Sequence, residues 1–263
     1  MDTELLKQIM EKMGSSDSTK SANPTEKKCS VNLESINITE FVGTGMGDTV
    51  GLVIANLDSH LLASIKLDPK YRSIGIVSSR TGGAPHVMAA DEAVKATNTE
   101  VVSVEFCRDT KGGAGHGSTI IFAAEDVSDA RRAVEILLAG LERGFGDVYG
   151  CDAGHIELHY TARASHALAK AFSAPVGKAF GITVGAPAAV GLLMADIALK
   201  TANVDVVTYA SPSVGTCYSN EIIVTFSGDS GAVRQSVLAA RDVGLGVLRG
   251  MGQNPVSLSK PVL

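Results

Sequence analysis

Asp91–Ser103, DEAVKATNTEVVS, is written almost again at Asp196–Thr208, DIALKTANVDVVT. A shift of 105 positions pairs Asp91 with Asp196, Ala93 with Ala198, Lys95 with Lys200, Asn98 with Asn203, Val101 with Val206 and Val102 with Val207. That is 6 identities in 13 positions, and pairs such as Val94/Leu199, Glu100/Asp205 and Ser103/Thr208 keep the chemistry where the letter changes. Upstream, a shift of 106 pairs Ser59-His60 with Ser165-His166, Leu62-Ala63 with Leu168-Ala169, Pro69 with Pro175 and Gly75-Ile76 with Gly181-Ile182. Downstream, a shift of 102 pairs Ile120-Ile121 with Ile222-Ile223, Ala130 with Ala232 and Arg132 with Arg234. A repeat at a fixed period sets the architecture before any local reading does. The change of shift lies in a loop, where length changes are tolerated. The chain is one domain written twice.

Each copy carries the same succession of patterns. In the first, Thr49–Asn56 reads as a strand, Ser59–Leu67 as a short helix capped by Ser59, and Ser73–Ser78 as a strand. Ser79–His86 reads as a loop, Val87–Thr97 as a helix, Glu100–Phe106 and Ser118–Ala123 as strands, and Val127–Arg143 as a long helix with Asp126 or Ser128 at its start. The second repeats this over Ile156–Thr161, Ser165–Phe172, Phe180–Val184, Leu192–Ala202, Val204–Tyr209, Glu221–Phe226 and Gly231–Leu248. The order is β-α-β-α-β-β-α twice. Four strands with helices on one side make an α+β sheet, so two such domains are expected, over 38–150 and 151–263.

Composition narrows the partners. Lys+Arg 23 against Asp+Glu 28 gives a net charge of −5 with no basic block, which argues against nucleic acid. Ala179 to Ala195 carries no charge, but Pro187 and three glycines interrupt it, so it reads as buried strand, turn and helix start and no membrane span is expected. The four cysteines (Cys29, Cys107, Cys151, Cys217) lack CxxC spacing, and no secretory signal precedes them, which places the expected setting in the cytoplasm.

Residues 1–37 differ from the rest. Leu5, Leu6, Ile9, Met10 and Met13 form one apolar stripe, and Ser15–Lys28 is polar and Ser-rich. An isolated helix of about ten residues is marginal in water. The stripe therefore suits docking on a partner, with packing on its own domain as the alternative.

No motif assembles an enzyme. GDSGA at Gly228–Ala232 is one letter from a serine-protease sequence, but Asp229 or Ser230 serves as well to cap the helix that follows. Lys111–Thr119, KGGAGHGST, has phosphate-loop spacing but no lysine after Gly117, and it leads into a strand instead of a helix. Six histidines have no metal spacing; no nucleophile and base stand out, and no metal or cofactor is expected.

The repeated motifs SIGIVSSR, ADEAVKATNTEVVS and STIIFAAEDVSDARRAV, with FGITVG, ALKTANVDVVTY and IIVTFSGDSGAVRQSVLAA, resemble the bacterial microcompartment shell (BMC) domain. A strand ahead of each copy, where single-domain relatives carry it at the end, marks both copies as circularly permuted. EFVGTGMGDTVGLVIANLDSHLL, RTGGAPHVMAADEAVKATNTEVVS and RDTKGGAGHGS extend the resemblance, over about 38 to 255, to the tandem shell proteins of propanediol-utilisation compartments.

The resemblance implies a structural protein, not an enzyme. It would form a homotrimer with a pseudohexagonal outline and tile through its edges with other shell proteins. It would conduct small polar diols (1,2-propanediol or glycerol) and tether cargo enzymes through the N-terminal extension. It also implies a channel within each chain, framed by Ser79, Arg80, Thr81, Gly82 and Gly83 from the first copy and by Ser213, Gly215, Thr216, Cys217 and Tyr218 from the second. The threefold axis would be approached by Asp109–Gly117 and Arg143–Gly150, with Thr110, Lys111, Gly112, Gly113 and Phe145 as central-pore candidates. Three Cys217 thiolates could meet as iron ligands in a trimer, unless Cys217 lines the channel within the chain and so lies too far from its counterparts. The alternative is a small-ligand sensor that binds a metabolite in the cleft between the copies.

Overall fold

The computed structural model describes residues 39–107, 117–215 and 219–263. The first sheet holds β1 (Phe41–Gly45), β2 (Thr49–Ile54), β3 (Ser73–Ser79), β4 (Glu100–Cys107) and β5 (Gly117–Ala124), in the order β1-β2-β3-β5-β4. Its helices are α1 (Ser59–Ser64), α2 (Gly83–Lys95) and α3 (Val127–Gly144). The second sheet holds β6 (Val148–Cys151), β7 (Gly154–Thr161), β8 (Ala179–Ala186), β9 (Val204–Ala210), β10 (Ile222–Gly228) and β11 (Val256–Ser257), ordered β11-β6-β7-β8-β10-β9. Its helices are α4 (His166–Phe172), α5 (Ala188–Thr201) and α6 (Ser230–Gly250).

The central strands β2-β3-β5-β4 and β7-β8-β10-β9 correspond one to one, and their pairings are antiparallel. The expected α+β pair of antiparallel sheets is present, each widened beyond four strands by edge strands absent from the sequence reading. β1 pairs with β2 just as β6 pairs with β7, and β11 adds Val256 opposite Gly150.

Local chemistry sets the helix starts. α2 begins at Gly83, four residues before the expected Val87, and takes Pro85 into its first turn, where backbone N–H groups have no helical partner to lose. Asp58, not Ser59, caps α1: its carboxylate accepts from the N–H groups of His60 (2.9 Å) and Leu61 (3.3 Å). Ser165 caps α4, accepting from Ala167 N–H, and Asp229 caps α6, accepting from Gly231 N–H at 3.0 Å. GDSGA is therefore a helix cap. Asp126 stands at the same place before α3 but makes no side-chain cap bond.

α3 buries Ala130, Ala133, Val134, Leu137 and Leu141, a three-and-four spacing that lays one stripe on the first sheet. α6 does the same with Val233, Val237, Ala240 and Leu248. β8, AFGITVGA, is buried along its whole length, which explains the charge-free stretch. No helix among the described residues is long and apolar enough to cross a membrane. The other face of the second sheet, with Phe180, Ile182 and Val184, packs on α4 and on Val87 and Phe106 of the first copy. Phe106, Phe172 and Phe180 follow one another at ring separations of 5.2 and 6.2 Å. Phe180, fully buried, contributes about 2 kcal/mol, and Phe106 and Phe172 pack partly buried against the same cluster, so the seam between the copies is continuous with the core.

Candidate functional site

Strand alternation builds the site. On β7, Ile156 and Leu158 point into the core beneath α6, which puts His155, Glu157 and His159 on the opposite face. In an ordinary half-exposed sheet that polar face would meet water. Here it is turned to the first copy: Glu157 lies opposite Val184 and His159 opposite Ile182, both in the shared core. Glu157 is 6% exposed and Glu221, just ahead of β10, 1%. His155 Nε2 lies 3.3 Å from Glu221 Oε2 and 3.8 Å from Glu157 Oε1, and His159 Nε2 lies 3.9 Å from Glu157 Oε2. Ser219 Oγ donates to Glu221 Oε1 at 3.2 Å.

Two cavities meet at Glu157. One, of about 260 Å³, is lined by Gly83, Phe106, Phe172, Gly215, Glu157 and Glu221 among others. The second, of about 690 Å³, is lined by Thr81, Gly82, His155, Glu157, Ser219 and Asn220 among others. The smaller thus draws on the start of α2 and the larger on the loop between β3 and α2 from the first copy, and both on the β9–β10 segment from the second.

The expected channel residues divide accordingly. Thr81, Gly82, Gly83 and Gly215 line these cavities; Ser79, Arg80 and Ser213 line neither. Ser79 is buried, with its Oγ 3.0 Å from Ser118 Oγ, and Ser213 is exposed in the turn closed by the Ser211 N–H to Val214 carbonyl bond. Gly82 has φ +78°, and a Cβ there would come 2.4 Å from the Phe145 ring, so only glycine fits. Thr216, Cys217, Tyr218, Thr110, Lys111, Gly112 and Gly113 lie outside the described residues.

Phe145, expected near the threefold axis, is buried against Gly82 and edge-on to His86 (5.8 Å), and it also lines the larger of the two cavities. Arg143–Gly150, expected as a loop, comprises the end of α3, a 3₁₀ turn over Phe145–Asp147 and the start of β6.

His86 holds the mouth in place. Its Nδ1–H donates to the Gly82 carbonyl, and Nε2 lies 2.7 Å from Thr49 Oγ1. Burial lowers its pKa to about 4 against the pull of the Gly82 carbonyl and of Glu157, so the ring is neutral at pH 7. A few residues away, Asp91, fully buried, staples the copies together. Its Oδ1 accepts from Ser165 N–H at 2.8 Å, and Oδ2 meets Lys95 Nζ at 2.7 Å. Among the described residues no three His, Cys, Asp or Glu side chains come together as metal ligands.

This geometry has close parallels. The BMC domain matches residues 73–150 and 179–252. The chain is 63% identical to the bacterial microcompartment shell protein PduB of Citrobacter freundii, over 89% of this chain and 86% of that protein. It is 64% identical to PduB of Salmonella typhimurium, over 88% and 83%. The crystal structure of EtuB from Clostridium kluyveri superposes with a TM-score of 0.84 at 62% identity, covering 86% of this chain and 99% of that one. A trimeric PduB shell protein superposes with a TM-score of 0.83 at 48% identity, covering 86% and 100%. The chain belongs to the BMC-domain family of bacterial microcompartment shell proteins, and its role is that of a structural shell component. The first family match runs from β3 into β6, a strand that pairs in the second sheet. Chain order and sheet membership are therefore offset, as circular permutation requires.

Proposed function

We propose that three copies of this chain close a ring of six similar sectors, 38–150 and 151–263 in each, that forms one tile of a compartment wall. One observation carries the reading: the interface between the copies is made once inside the chain and left open at both ends. Val87 and Val101, at 0% and 5% exposure, face the second copy, but their equivalents Leu192 and Val206 are 55% and 51% exposed. Conversely, Leu168 and Ile182 are fully buried, but their equivalents Leu62 and Ile76 are only partly so. The unmatched halves are complementary to each other, and a head-to-tail contact that repeats the internal one closes a ring.

In this reading the cavities at Glu157 form a passage for small polar molecules such as 1,2-propanediol or glycerol, whose hydroxyls exchange water for Thr81, Ser219 and the carboxylates at little net cost. Residues 1–37 tether enclosed enzymes, other shell proteins join at the tile edges, and the tile turns over no substrate. The test is a crystal of the full-length trimer soaked in glycerol. Glycerol between Gly82–Gly83 and Glu221 is expected, and a passage that stays empty contradicts conduction. Micromolar binding without passage would favour a sensor.

A further inference from the structure

We propose that Glu157 and Glu221 make this passage a charge filter that admits neutral polyols and small organic ammonium ions and turns away small carboxylates. The inference rests on the conduit reading and goes beyond it by naming the solutes excluded and the residues that exclude them. The smaller cavity is walled mainly by apolar groups (Ala84, Phe106, Ala171, Phe172, Val184 and Ile223), so a charge within it is poorly screened. Into that wall project two carboxylates, both more than nine-tenths buried.

No lysine or arginine is among the described lining residues of either cavity. The larger cavity adds a third acid, Asp152. Among the described residues, His155 lies within 4 Å of both glutamates and His159 lies behind Glu157. His159 Nε2 has no hydrogen-bond partner among the described residues. His86, from α2, is neutral down to about pH 4. Among the described residues three acids outnumber two bases, whatever charge the histidines carry. A carboxylate solute would have to shed its water and meet that excess. A hydroxyl can donate to either glutamate, and an ammonium group gains from both.

Three solutes of one carbon skeleton test this on the full-length trimer: 1,2-propanediol, 1-amino-2-propanol and lactate, titrated by saturation-transfer NMR. The wild type is expected to bind the amine at least as well as the diol and lactate at least tenfold more weakly. In the Glu157→Gln/Glu221→Gln double variant lactate should gain at least tenfold, the amine lose at least tenfold, and the diol stay within about threefold. Lactate binding the wild type as well as the diol overturns the proposal without needing a variant, as does an unchanged order in the variant. Glu157→Gln alone, checked by circular dichroism, replaces the double variant if that fails to fold. Amine binding without diol binding would sink the polyol conduit and leave the filter standing; no binding by any of the three sinks both.

Discussion

Asp91 and Asp196 are the same residue in two copies, and their surroundings give them different energetic weight. Asp91 is buried and satisfies the Ser165 N–H, whereas Asp196 pairs with Lys200 at 2.7 Å on the surface. Asp91→Ala leaves a part-buried donor without its acceptor, so a loss of about 2 kcal/mol in chemical denaturation is expected. Asp196→Ala should change the isolated chain by less than about 0.5 kcal/mol; equal effects would contradict the assigned staple. His86 carries a second residue-scale prediction. Its folded pKa lies below the ordinary 6.5, at about 4, so the folded state resists protonation and stability is full above pH 6.5. As pH falls towards 4 the unfolded chain takes up the proton first, and the wild type should lose about 3 kcal/mol relative to His86→Gln. Parallel stability curves for the two proteins across that window would refute it.

Among the elements, β8 and α5 meet backbone to backbone. A Cβ on Gly185 would lie 2.5 Å from Gly191 Cα and 2.7 Å from Gly191 N, backbone atoms that cannot yield as a side chain can. Gly185→Ala should therefore lift α5 off the sheet and cost about 2 kcal/mol or more. Gly177→Ala has nothing within 4 Å of its Cβ and only a positive φ of 84° to oppose it, so about 1 kcal/mol is expected. Thermal melts of the pair check the order. These elements were legible because each is long and written twice. β1, β6 and β11 were not: FVGTG and VYGC are short and broken by glycine, VS is two residues long, and only their pairing partners define them. The acidic waist escaped notice for a different reason. The alternation in HIELHY is plain in the sequence, and Ile156 and Leu158 mark the buried side. Nothing local tells that the polar side faces another copy instead of water. Phe145 became a pore candidate through the resemblance alone, and nothing local in the sequence tells that Gly82 and His86 across the chain bury it.

At the scale of the molecule, a doubled domain is a structural statement about neighbours. The seam inside the chain is joined by Phe106, Phe172 and Phe180 and fastened by Asp91, and of its members Val87, Val101 and Asp91 have equivalents, Leu192, Val206 and Asp196, left open elsewhere on the surface. Val206, on the exposed edge strand β9, stands where Val101 is buried, and it should become buried when the next chain arrives. Val206→Glu would place a charge in that contact at little cost to the lone chain. The most direct measurement is native mass spectrometry of the full-length protein and of Val206→Glu, side by side. The wild type should appear as three chains of 27.2 kDa each, and the variant as folded single chains. A wild type that stays monomeric at high concentration, or a variant that still assembles in threes, would contradict the repeated interface.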